Sequence, residues 1–450
     1  MVLLKPNEFS PQHRLAWRWL GLGLATTGAA ILVGHITQWN LPHPLAQSRY
    51  PYPFYESLQN GRQKTLEGEI SFYQGRIQRN PEDGLDRAAL AGLYIQMAKV
   101  TNTPNWYLLA EQSAQQSLAN LPFNNTGAVL VLARVAEAQH DFAEAIRLAE
   151  SAGGVEGMGI AITAKLAMGQ VEAAAADAET LADRYPSLGS LTLRALTRAA
   201  QGDNAGAEQD FQRAIAAEEP ASQRSSAQTR VLLGRFYFAQ GDLARAEPLY
   251  REALTIVPDY PLAHLQLAEL KTRAGQYRAA RHHYRQVVSP VALHGLARLQ
   301  ALQGRDASQA WQTAETALRQ QIDENGLGHR RDLAQVLLER GNPEDVPEAV
   351  ALMAAEAAQR RDPKTLDLLA WALVEAGRLP EAQRVIHEAL DQGVRDAGIA
   401  YRAGEIELAL NHPEQAEPLF RLAQEIDPSF DEQTRRRLGL IAQNQEVPHD

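Results

Sequence analysis

The 450-residue sequence has no cysteine. That excludes a disulfide framework, a thiolate nucleophile and a zinc site built on Cys ligands. It also lacks an excess of positive charge. Lys and Arg number 44 against 54 Asp and Glu, for a net charge of −10. A dedicated nucleic-acid binder needs a basic face, so that class is disfavoured. Runs of β-branched residues are few, while Ala, Leu, Glu, Gln and Arg abound, a composition that favours helix.

The usual signatures of chemistry are missing too. There is no Gly-x-x-x-x-Gly-Lys-Ser/Thr loop, no His-Glu-x-x-His and no Gly-x-Ser-x-Gly. Glycines crowd at 153–159, but no Lys-Ser/Thr pair follows them. The run reads as a tight turn. His282 and His283 are adjacent, so on a helix they diverge by about 100° and do not converge on one metal. No catalytic residue, cofactor or metal is expected, and the chain reads as a non-enzyme.

What is present begins with one long apolar segment. From Leu20 to Ile36 the only titratable side chain is His35, and Trp17, Trp19 and Trp39 flank the run. As a helix, residues 17–39 span about 33 Å, enough to cross a bilayer between aromatic belts. Lys5, Arg14 and Arg18 precede it, and only Arg49 follows closely. That asymmetry predicts a cytoplasmic N-terminus (1–16), a transmembrane helix (17–39) and the remainder on the extracytoplasmic side. Secretion after signal-peptide cleavage is the alternative, although the apolar core is long for one and Pro44 spoils the cut after Ala46. Residues 40–60 form a linker in which Pro42, Pro44, Pro51 and Pro53 alternate with aromatics.

Beyond the linker the chain repeats itself. Within residues 227–290 two copies superimpose at a spacing of 34: Leu233 on Leu267, Gly234 on Ala268, Gly241 on Gly275, Ala246 on Ala280, Tyr250 on Tyr284. Small residues fall where two backbones must approach, large ones beside them, and Gly241-Asp242 marks a turn. This period and pattern resemble the tetratricopeptide repeat (TPR) family. Weaker copies run through 85–430, ten units in all, after a capping helix at 61–84 and before a capping helix and tail at 431–450.

The resemblance implies an all-α fold, a right-handed α-solenoid of about ten TPR helix pairs. It also implies that the first helix of each pair lines a concave groove that holds protein partners. In that register the groove-facing side chains include Arg235, Phe238, Glu269, Arg273, Arg298, Arg331, Trp371 and Tyr401. The Asn positions of the family's carboxylate clamp carry other residues here, Arg235 and Glu269 among them. Arg235, Arg298 and Arg331 suit a partner's carboxylates, and Trp371 and Tyr401 suit aromatic anchoring. The expected role is a membrane-anchored scaffold or adaptor in the assembly or operation of a membrane or envelope complex. The alternative is an accessory subunit of a membrane-associated enzyme such as a glycosyltransferase or protease.

Overall fold

A computed structural model describes residues 59–101, 103, 105–220, 222–325 and 329–443. The expected transmembrane helix at 17–39 and most of the linker lie outside the described residues. Among those described there is no strand, and no helix is long and apolar enough to cross a membrane.

The described chain forms 22 α-helices. A first helix, α1 (Gln59–Arg79), leads into α2 (Gly84–Thr101), α3 (Asn105–Asn120), α4 (Thr126–Ala138) and α5 (Phe142–Ala152). Next come α6 (Gly154–Ala167), α7 (Val171–Arg184), α8 (Leu188–Ala200), α9 (Asn204–Ala216), α10 (Gln223–Ala239) and α11 (Leu243–Ile256). The middle continues with α12 (Pro261–Arg273), α13 (Tyr277–Tyr284), α14 (Pro290–Leu302) and α15 (Ser308–Asn325). The array ends with α16 (Arg330–Arg340), α17 (Val346–Ala357), α18 (Pro363–Glu375), α19 (Leu379–Asp391), α20 (Ala397–Ala409), α21 (Pro413–Ile426) and α22 (Glu432–Leu438). From α2 to α21 they fall into ten consecutive pairs, as the repeat pattern predicts.

Local chemistry sets each pair. Asp141, Asp203 and Asp242 cap the second helix of their pairs, each accepting from the backbone N–H three residues on. The preceding residue turns the chain with positive φ, as at Gly241 (φ 78°), where a side chain would be strained. Two pairs use His140 and Asn411 at this position instead, at φ 61° and 65°. Within a pair, an alanine or glycine of one helix meets a ring of the other. A Cβ on Gly234 would run into the Tyr250 ring, and one on Gly404 into Phe420. Tyr250, Phe211 and Ala246 are fully buried there. Rings against bare backbone bring the helices close and bury apolar surface at about 25 cal/mol per Å².

The glycine run at 153–159 divides differently from the sequence expectation. Only Gly153 and Gly154 make the turn, at φ 66° and 69°. Gly157 and Gly159 lie inside α6. A Cβ on Gly157 would strike the Ala149 carbonyl, so that glycine allows close helix approach rather than a bend.

The array coils until it meets itself. Glycine turns of earlier repeats abut loops of repeats roughly one coil later. The Arg361 N–H donates to Ala167 O at 2.8 Å, and the Gln392 amide donates to Arg361 O at 2.8 Å beside Gly169. Gly202 faces Gly393, and Gly241 faces the Asp427 carboxylate. His140 Nδ1 lies 3.0 Å from Glu356 Oε1 across the same seam.

The last helix does more than close the stack. α22 packs on α12 and α14, and Gly439 (φ 67°) turns the chain after it. Gln443 N–H then donates to Glu339 O at 3.0 Å, and Arg402 donates to Leu440 O at 3.2 Å. The C-terminal segment therefore occupies part of the inner face.

Candidate interaction surface on the inner face

The first helices of successive pairs do bring the expected side chains to one face, but most of those side chains are engaged there. Arg298, on α14, gives a two-pronged pair to Glu339 of α16, with Nε–Oε2 at 2.8 Å and Nη2–Oε1 at 2.7 Å. His294 Nε2 sits 2.9 Å from the same carboxylate. Glu269, on α12, accepts from Arg298 Nη1 at 3.0 Å and from Tyr284 Oη at 2.5 Å. Burial works against ionising Glu339, but Arg298 and His294 outweigh it and hold its carboxyl down to about 2. Arg298 is raised in turn, against its own burial, by Glu339 and Glu269.

Arg273, on α12, crosses the seam. Its guanidinium pairs with Asp427 and donates to Ser429 Oγ at 2.8 Å and to Phe238 O at 2.9 Å. It also lies over the Phe238 ring, 5.4 Å from the centroid. Arg437 of α22 continues the seam, donating to Arg273 O at 3.2 Å and to Tyr277 Oη at 3.3 Å.

The aromatic candidates are inside the packing. Trp371, on α18, is 3% exposed. Its Nε1 donates to Glu375 at 3.0 Å, and Arg402 covers its ring at 4.9 Å while donating to Asp367 at 2.6 Å. The expected surface anchor is a core residue, because its helix is sandwiched between both neighbouring pairs. Tyr401, on α20, packs against Phe420 and Phe430, and Arg435 of α22 lies 4.0 Å over its ring. Burial pushes its phenol up to about 12.

Two arginines differ. Arg331, on α16, is half-buried and held loosely, with Asp362 at 3.7 Å and Thr365 Oγ1 at 3.4 Å. Arg235, on α10, is exposed, with no hydrogen bond or ion pair among the described residues.

One constellation was invisible in the sequence. His264, from α12, reaches His283 of α13, and their Nδ1 atoms stand 3.2 Å apart. His282 lies against the other side of His283, with ring centroids 5.4 Å apart. Desolvation, then the two histidines, lowers His283 to about 4, so it is neutral at pH 7. Positions 264 and 283 face each other across a helix pair, which adjacent-residue reasoning at 282–283 does not reach. Among the described residues no three His, Asp or Glu side chains gather as metal ligands.

Family models for the tetratricopeptide repeat match residues 237–305 and, separately, 192–261 and 368–429. Tetratricopeptide repeats are present. Among solved structures, the chain is similar to the APC/C hetero-tetramer Cut9–Hcn1, with 11% identity over 84% of this chain and 94% of that one, at a TM-score of 0.36. It is also similar to a tetratricopeptide repeat protein from Parabacteroides merdae, with 20% identity over 56% of this chain and 98% of that one, at a TM-score of 0.33. Superpositions this loose do not bear on what the TPR array binds. No curated protein matches the sequence.

Proposed function

We propose that this chain is a TPR scaffold that gathers protein partners, held at a membrane by residues 17–39 with its repeats on the extracytoplasmic side. The observation that carries the scaffold reading is the array of ten helix pairs. It displays side chains of successive helices on a continuous face, the arrangement repeat proteins use for extended binding surfaces. The apolar stretch from Leu20 to Ile36 between tryptophans supports the anchor. An assembly or operating role in a membrane or envelope complex follows from the two together.

Because Arg273, Arg298 and Trp371 are committed inside the fold, partner contact falls to what remains open. On the inner face that is the neighbourhood of Arg235 and Arg331. The test is affinity capture of the tagged full-length chain in mild detergent. Stoichiometric membrane proteins are expected, with the chain itself resisting carbonate extraction and its repeats open to protease added from the extracytoplasmic side. Capture of a single enzyme whose activity changes would favour the accessory-subunit reading. Release by carbonate would remove the anchor from the proposal.

A further inference from the structure

The outer face of α13 carries charge of one sign. From Leu270 to Arg305 the sequence has no Asp or Glu, yet it holds one lysine and six arginines. In a chain of net charge −10 the acids lie elsewhere. Arg273 and Arg298 of this stretch are buried and paired. Helical spacing sorts the others. Ala280 and Tyr284 of α13 are buried in a cluster with Ala268 and Ala292. That turns Arg278, Arg281, His282 and Arg285 outward together, at i, i+3, i+4 and i+7. Arg278, His282 and Arg285 are exposed, and Arg281 is half-buried.

The described fold does not neutralise this stripe. Arg281 donates to the neutral Gln303 side chain, at 2.7 Å. Among the described residues Arg278 and Arg285 make no ion pair. On the flank, Glu247 of α11 is already shared by Lys271, at 2.6 Å, and Arg251. Helix stability does not account for the stripe either. Cations in the last turn suit the helix dipole, but Arg278 stands in the first turn, where the dipole opposes it. Arg278 and His282 also border an open cavity of ≈ 720 Å³, which Tyr277 and Ala279 line. Arg437 of α22 reaches Tyr277 Oη there, at 3.3 Å. Three residues past Arg285, Val288 is 100% exposed. Unpaired cations in a row, space beside them for a small polar head and an apolar tip at the end are the parts of an interfacial surface.

We propose that the outer face of α13 docks on an anionic lipid surface, with Arg278, Arg281 and Arg285 on the headgroup phosphates and Val288 at the acyl boundary. The complementarity is one of sign. An anionic bilayer repels the acidic bulk of the chain and attracts this face, so the stripe sets which side of the array lies down. Each arginine at such a surface strengthens binding about fivefold, and three together about a hundredfold. That is weak for a free protein and ample for one already held at the bilayer. The proposal thus rests, for its occupancy, on the anchor at residues 17–39. It leaves the inner face free for protein partners.

The chain has no cysteine, so Gln286→Cys, at an exposed position beside the stripe, carries a single fluorophore. The full-length protein is mixed with vesicles of phosphatidylcholine alone or of equal parts phosphatidylcholine and phosphatidylglycerol, each with a quencher on the headgroups. Flotation reports the anchor, and quenching reports docking. Both vesicles float the protein, and only the anionic one quenches the label. Quenching fades as salt shortens the screening length from about 30 Å at 0.01 M to about 10 Å at 0.1 M. Arg278→Gln with Arg285→Gln lowers the ratio of docked to free protein about 25-fold and leaves the melting temperature at the parent's. Lysine at both positions restores docking, because a lipid surface reads charge, whereas a fitted carboxylate site on a protein partner distinguishes the planar fork. A label at Gln115→Cys, exposed on α3, stays unquenched. Flotation with anionic vesicles alone removes the anchor and keeps the docking face. Flotation with both vesicles but equal quenching in the two overturns the docking face and keeps the anchor. Undiminished quenching in the glutamine double variant overturns it as well, and flotation with neither vesicle overturns both. Failure of the lysine variant to dock assigns the stripe to an acidic protein instead and overturns the lipid proposal.

Discussion

Arg298 meets both oxygens of Glu339, at 2.7 and 2.8 Å, and the two side chains are 4% and 0% exposed. With His294 and Glu269 they tie α12, α14 and α16 together from the inside. A pair buried this fully is costly to break, because the surviving partner keeps its charge without compensation. Glu339→Gln is expected to cost about 3–5 kcal/mol, and a hydrophobic replacement of both residues much less. Denaturant unfolding of the single and double variants checks this.

The same carboxylate gives a pH signature. The folded state holds Glu339 ionised down to about 2, whereas the ordinary value is 4.5. In that interval the unfolded chain binds the proton and the folded chain does not. Its contribution is therefore complete above pH 4.5 and is lost as pH falls toward 2. Melts across that window should show parental stability dropping more steeply than that of Glu339→Gln.

Arg273 and Asp427 are 154 residues apart in sequence and joined across the seam, with both side chains almost fully buried. Asp427→Asn should cost about 3–5 kcal/mol and, more specifically, should loosen both sides of the seam. Hydrogen exchange should accelerate at residues 238–243 and 427–432 together. Acceleration confined to one of the two segments would mean that the pair is local ornament and that the coils are held elsewhere.

How much of this was readable in the sequence depends on range. The 34-residue period, the ring of Tyr250 against Gly234 and the turn at Gly241 are local facts, and each appears as expected. Which face of a helix is open is not local. Arg235 and Arg298 hold comparable places in their repeats, yet one is exposed and the other buried. The difference comes from Glu339 two helices on and from α22 folding back. The seam is beyond sequence reasoning for a further reason. It depends on a small rotation per repeat, summed over a coil, and pairs such as Ala167 and Arg361 have no pattern that links them.

Trp371 shows the same limit in a single residue. A tryptophan on the first helix of a pair suits a binding hot spot, but at 3% exposure it has no face left to offer a partner. Its truncation is a core mutation. Trp371→Ala should cost about 3–5 kcal/mol in chemical denaturation. Any loss of partner capture should vanish when samples are compared at equal folded fraction. Undiminished stability with lost capture would return the residue to the surface.

The histidine pair between α12 and α13 offers a test at milder pH. His283 is lowered from 6.5 to about 4 by desolvation first and by His264 and His282 next, and His264 is lowered too. Lys271 and Arg251 add positive charge from neighbouring helices, so a second proton in this cluster is opposed from several sides. The unfolded chain protonates His283 below pH 6.5, while the folded chain resists until about 4. Stability should therefore be at its full value above 6.5 and decline as pH falls through that interval. His283→Gln removes the His283 response. Its melting temperature should fall less between pH 7 and pH 4.5 than the parent's does, and an identical fall in both proteins would place the acid sensitivity at other groups.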